Sequence, residues 1–98
     1  MALKKKIKIP NGLELEYHRI ALVTIDVNNQ ITILRHSYLN EEARQYEKDY
    51  AAGLIKEDPT FPYVDYEYMH LDYVDGLNIE TAYEWLKAQP NFEDAENV

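Results

Sequence analysis

Three histidines, His18, His36 and His70, and the single serine, Ser37, are the side chains best suited to metal binding or nucleophilic chemistry in this sequence of 98 residues. A neutral imidazole is a common metal ligand and the usual general base near neutral pH. Each histidine stands alone, however, without the i,i+4 or Cys/His spacing that marks a ligand set. Ordinary strand or surface histidines explain them better than a metal site does, unless the fold brings them together. Ser37 needs a base within hydrogen-bond reach, and its neighbour His36 cannot serve from a strand, where adjacent side chains point to opposite faces.

Carboxylates offer two further constellations. Asp65 and Glu67 would share one strand face and divide acid and base roles only if their environments differed. In so acidic a stretch such pairs also arise without purpose. Asp72, Asp75, Asn78 and Glu80 crowd around Gly76, but not at EF-hand spacing, so turn and helix-cap roles account for them better than calcium does. The absence of cysteine excludes disulfides and thiolate metal sites and leaves a reducing compartment open. With three glycines there is no phosphate-cradling loop, and no G-x-S-x-G elbow occurs. The expectation is therefore no catalytic residue, no metal ion and no cofactor.

The elements that would position these side chains follow from the apolar periodicity. Leu3, Ile7 and Ile9 alternate loosely with lysines before Pro10-Asn11-Gly12, which reads as a short edge strand and a turn. Leu13, Leu15 and Tyr17 alternate with polar residues, and the parity slips at Ile20 and Leu22 before resuming at Val23, Ile25 and Val27. Such a slip predicts a bulge, or two strands with a kink between them. Asn28-Asn29 makes a hairpin turn into the β-branched run Gln30–Leu34. Asn40 caps a thinly apolar stretch ending near Gly53, a peripheral helix or loop. Pro59 and Pro62 break regular structure, and the aromatic run from Tyr63 to Val74 suits a strand with both faces partly covered.

Asn78 then caps a helix in which Ile79, Ala82, Tyr83 and Leu86 form one stripe, with Trp85 on its flank and Pro90 as the stop. These readings make residues 1–98 a single α+β domain: a small antiparallel β-meander of about four strands packed against one C-terminal helix, with 91–98 as an acidic tail. Trp85 and Leu86 should pack on Val23, Ile25 and Ile33.

A composition of 46% hydrophobic and 29% charged residues is that of a folded domain, not a disordered chain. No apolar stretch approaches the roughly 20 residues of a membrane span, and no apolar core follows the early lysines as in a secretory signal, so retention where the chain is made is expected, with no membrane partner. The net charge of −8 is uneven. Residues 1–40 carry six basic and three acidic side chains, a net +3, whereas 41–98 carry four and fifteen, a net −11. Opposite charge on two parts of one surface suits stacking between copies or docking on an assembly, although solubility alone would also explain it. Nine tyrosines are many for this length, and tyrosine favours interfaces as well as strands. Tyr63, Tyr66, Tyr68 and Tyr73 on the acidic side and Lys4, Lys5 and Lys6 on the basic side are the candidate protein-binding residues. Acidic neighbours speak against stacking on nucleic acid, which needs basic ones.

Two segments carry a family resemblance. Tyr17-His18-Arg19-Ile20 after the Pro-Asn-Gly turn, and Asn78 through Ala82-Tyr83, Leu86-Lys87, Pro90, Phe92 and Asp94-Ala95-Glu96, resemble small virion-associated proteins encoded among the tail genes of long-tailed bacteriophages. Residues 40–62 have no counterpart, and Ile79 stands where members often carry proline. The resemblance implies a non-enzymatic component of the phage tail or an accessory structure, contacting other copies of itself or other virion proteins, located in the virion and in the host cytoplasm before assembly. The alternative is a small acidic inhibitor of a host protein that mimics nucleic acid.

Overall fold

The computed structural model describes residues 1–10, 12–54 and 65–98. Five strands, β1 (Leu3–Lys8), β2 (Glu14–Asp26), β3 (Gln30–Tyr38), β4 (Asp65–Asp72) and β5 (Glu96–Asn97), form one sheet in the order β4-β3-β2-β1-β5 with every pairing antiparallel. Two helices, α1 (Glu41–Ala51) and α2 (Ile79–Lys87), complete an α+β meander. The proline-bearing segment and Tyr63 lie outside the described residues.

The hairpin of β2 and β3 is the centre of the sheet. Asn28 takes φ 64°, a left-handed value that asparagine tolerates, and the Asn29 side chain donates to Asp26 Oδ2 at 2.7 Å to brace the turn. The register then slips by one residue between Ile20 and Leu22. This bulge turns Ile20 and Val23 to the same face of the sheet while sending Leu22 to the other, so the slip in apolar parity is a physical feature of the strand.

Helix α2 covers one face. The Asn78 side chain accepts the Thr81 backbone N–H at 2.9 Å, and Thr81 Oγ1 accepts the Asn78 N–H at 2.9 Å, a reciprocal cap with threonine in the place more often held by Glu. Ala82, Tyr83 and Leu86 form the buried stripe. Ile79, expected in that stripe, is 55% exposed because it starts the helix beyond the edge of the sheet's apolar surface. Leu86 packs with Leu3, Tyr83, Phe92 and Ala95. Trp85 is half-buried and bridges this cluster to Ile31, Ile33 and Ala82, with Val23 beside them. Ile25 does not join the core as expected; it is 44% exposed near the hairpin tip, past the reach of α2.

The acidic C-terminal segment is docked. Phe92 and Ala95 are buried, β5 pairs with Leu3 and Lys4, and Ala2 exchanges both backbone hydrogen bonds with Val98 at 2.9 and 3.0 Å. This short pairing covers the first two residues of β1, which leaves the sheet with five strands in place of about four. Helix α1 lies at the periphery with no buried residue, capped by Asn40 and closed at Gly53. It is pinned at one point: Tyr38 is fully buried against Tyr17 and Ala2, and its hydroxyl donates to Glu47 Oε1 at 2.8 Å while accepting from Arg19 Nε at 2.8 Å. Burial pushes the Tyr38 phenol up to about 12.

Candidate functional site

Residues directly opposite across antiparallel strands share a face, so the register sorts the candidate side chains. On the α2 face, His18 lies opposite Ser37, which lies opposite Asp65; Ile20, Arg35 and Glu67 form the next row. On the other face the rows are Arg19, His36 and Tyr66, then Leu22, Leu34 and Tyr68, then Thr24, Thr32 and His70. His18 is thus separated from His36 and His70 by the sheet itself, and the three histidines do not converge.

The first row builds a buried polar node. His18 Nε2 is 2.8 Å from the Lys5 carbonyl, which can only accept, so that nitrogen carries the proton. Burial holds the imidazole pKa below its ordinary value, with adjacent Arg35 acting in the same direction and the Lys5 and Asp65 contacts opposing. The ring is therefore neutral, and Nδ1, 2.7 Å from Ser37 Oγ, accepts the serine proton. Ser37 Oγ in turn accepts an N–H from Arg35. The guanidinium reaches Asp65 Oδ2 at 3.2 Å and Glu67 Oε2 at 3.7 Å and lies over the Phe92 ring, 5.5 Å from its centroid. The hydrogen bonds run from Arg35 through Ser37 and His18 to the Lys5 carbonyl, while the buried Arg35 Nε–H has no hydrogen-bond partner among the described residues.

A cavity of about 360 Å³ opens on the node: His18, Arg35 and Ser37 belong to its lining, with Ile7, Leu15, Met69, Phe92 and the carboxylates of Asp65 and Glu67 around them. Ser37 and His18 have the atoms of a nucleophile and base and line this cavity, but with almost no exposed surface. Ser37 exposes no surface, and its oxygen already accepts a charged donor, which makes it a poorer nucleophile. The arrangement works as a lock between β2, β3 and β4.

A pH dependence follows. His18 and His36 both titrate below the ordinary histidine value because burial disfavours the imidazolium. The unfolded chain therefore takes up more protons than the folded one as pH falls below about 7, and this stability is complete above the unfolded pKa and is lost on acidification. The urea midpoint should be lower at about pH 5.5 than at about pH 7.5, with the difference reduced in His18→Gln. An unchanged or rising midpoint, the same in both proteins, would refute the neutral buried imidazole.

The opposite face is the larger feature. Leu22 on β2 and Tyr66 and Tyr68 on β4 are 52%, 57% and 56% exposed, on either side of β3, whose Leu34 and His36 are half-buried between them. The two tyrosine rings meet edge to face with centroids 6.1 Å apart. This strand is therefore open on one face, not covered on both as its aromatic content suggested. Helix α1 reaches only the Tyr17–Tyr38 end of the face, through Ala43.

The remaining candidates separate. Tyr73 is half-buried against the Ile31, Ile33 and Ala82 cluster and donates to Asp75 at 3.2 Å, away from the tyrosine pair. Lys4 pairs with Glu16 at 3.5 Å, Lys5 donates to the Glu93 carbonyl, and Lys4, Lys5 and Lys6 line one shallow pocket with Asp94 and Glu96. The basic strand thus has acidic company within its own chain. Among the described residues no group of three His, Cys, Asp or Glu side chains is placed to hold a metal ion, and no helix is long and apolar enough to cross a membrane. The Ser37–His18–Arg35 node and the exposure of Leu22 were not anticipated; the first needed the bulge-shifted register, the second the side of the sheet on which α2 packs.

No protein-family model matches the chain, no curated protein matches it, and no solved structure matches it.

Proposed function

We propose that this domain is a non-enzymatic binding component that acts through protein contacts made by the open face of its sheet. The observation that carries the reading is the row Leu22, Leu34 and Tyr68 with Tyr66 beside it: apolar and aromatic side chains of three adjacent strands, on a rigid surface left uncovered by both helices along most of its length. Contiguous apolar surface of this kind marks interaction sites, and tyrosine supplies contact area with a polar tip at small entropic cost. The buried node favours the same reading, since its serine and histidine are spent on joining strands.

The resemblance of the Tyr17–Ile20 and Asn78–Glu96 segments supplies the proposed setting, a tail or accessory structure of a phage particle, with the domain held by other virion proteins or by further copies of itself. Mass spectrometry of purified particles from the source of the gene tests this. The domain should be present at a fixed multiple of the tail proteins. Its absence from particles, with the protein abundant in the infected cell, would replace this setting with the inhibitor of a host protein.

A further inference from the structure

The two edges of the sheet are built differently. The β1 side is guarded: β5 covers Leu3 and Lys4, a register shift follows between Lys4 and Ile7, and Lys5, Lys6 and Lys8 occupy the remaining stretch. Short covering strands, bulges and lysines are the devices by which edges are kept from pairing. The β4 side has none of them. Asp65–Asp72 runs for eight residues in unbroken register with β3, carries no proline, glycine or lysine, and has a neighbour on one side only among the described residues.

We infer that β4 is a strand-addition edge whose occupant is an extended basic segment of a partner protein, paired along Glu67–Leu71. This rests on the protein-contact reading above and names the partner's chemistry. Addition at an edge draws affinity from backbone hydrogen bonds and selectivity from alternate side chains. The alternation here is specific: Asp65, Glu67, Met69 and Leu71 point to one face, Tyr66, Tyr68 and His70 to the other. On the first face two carboxylates stand against one guanidinium, Arg35, leaving an uncompensated negative charge, and Glu67 is exposed. Asp72, at the strand's end, lies on the other face with Tyr66, Tyr68 and His70. An incoming strand with a lysine or arginine opposite Glu67 would set that cation at the acidic end of the stretch, next to Asp65, and its apolar side chains beside Met69, Leu71 and Tyr68, continuing the open face by one strand. A second copy fits less well, since β4 paired with itself brings together two chains of net charge −8 and the chain's own basic strand is engaged with Glu16, Asp94 and Glu96.

The test titrates the isotope-labelled domain with an end-blocked peptide alternating lysine and isoleucine, and with its glutamate–isoleucine counterpart, following backbone amides by NMR. The account expects saturable shifts within Glu67–Leu71 for the basic peptide, affinity at least about tenfold weaker for the acidic one, and a loss of about tenfold between roughly 0.05 and 0.5 M salt. Glu67→Gln should weaken the basic peptide several-fold while leaving the shifts on the same amides. Shifts confined to Leu22 and Leu34 would overturn strand addition and leave the open-face reading standing. Equal binding of both peptides, or β4 amides altered instead by dimerisation in sedimentation experiments, would overturn the basic partner.

Discussion

Replacing Leu86 by alanine should cost about 2–5 kcal/mol of folding stability, the range for removing a fully buried leucine from a core that collapses only in part. Leu86 exposes no surface and joins three things that are far apart in sequence: β1 through Leu3, the rest of α2 through Tyr83, and the C-terminal segment through Phe92 and Ala95. The segment after α2 is otherwise held by two β5–β1 residue pairs, the Ala2–Val98 hydrogen bonds and the packing of Phe92 against His18 and Arg35, and Leu86 is a core residue of α2 on which Phe92 and Ala95 close. The loss should therefore exceed that of a leucine at the rim of the helix, and it should release the C-terminal segment first. Urea unfolding followed by Trp85 fluorescence gives the free energy, and hydrogen exchange at Ala2 and Val98 reports the segment. Against a total of about 5–15 kcal/mol for a typical domain, such a loss is large. A variant as stable as the parent would contradict the placement of Leu86.

Ser37→Ala removes a smaller group and should still destabilise by roughly 2–6 kcal/mol, because each buried polar atom left without its partner costs about 1–3 kcal/mol and two are orphaned here. His18 Nδ1 loses the hydroxyl proton, and Arg35 loses the acceptor that fixes its guanidinium beside the imidazole. Ser37→Thr keeps the hydroxyl and should recover part of the loss, to the extent that the added methyl group fits a site with no exposed surface. A neutral effect of Ser37→Ala would mean that water or a rearranged Arg35 satisfies both atoms, and the lock would lose its meaning.

That node shows where the sequence could be read and where it could not. The Asn28-Asn29 turn and the parity slip at Ile20–Leu22 were both visible. Counting back from the Asp26–Gln30 pair without a bulge places His18 opposite Tyr38; the single-residue slip places it opposite Ser37 on the buried face. The serine's base was thus encoded in the hairpin, 19 residues away, although the neighbouring His36 drew attention first. Arg35 was harder to find, because a charged residue in an apolar alternation reads as solvent-facing until Asp65 and Glu67 are brought opposite by β4. The helix caps Asn40 and Asn78 were legible since they depend on local chemistry. The docking of Ala95 and the pairing of β5 under an acidic composition were not, because composition does not register a small anchor among charges. The open face was the least legible: aromatic alternation says that a strand has two distinct sides, but the choice of covered side is made by where α2 returns.

The central claim, that the open sheet face makes the functional contact, is tested most directly by the double variant Leu22→Ser with Tyr68→Ser. Both side chains are more than half exposed and outside the buried clusters, so stability should change by about 0.5 kcal/mol or less per site. The measurement is the copy number of the variant in purified particles relative to the parent, with the urea midpoint taken alongside. The account predicts a protein that unfolds like the parent and is depleted at least tenfold from particles; a stable variant incorporated at the parental level would contradict it.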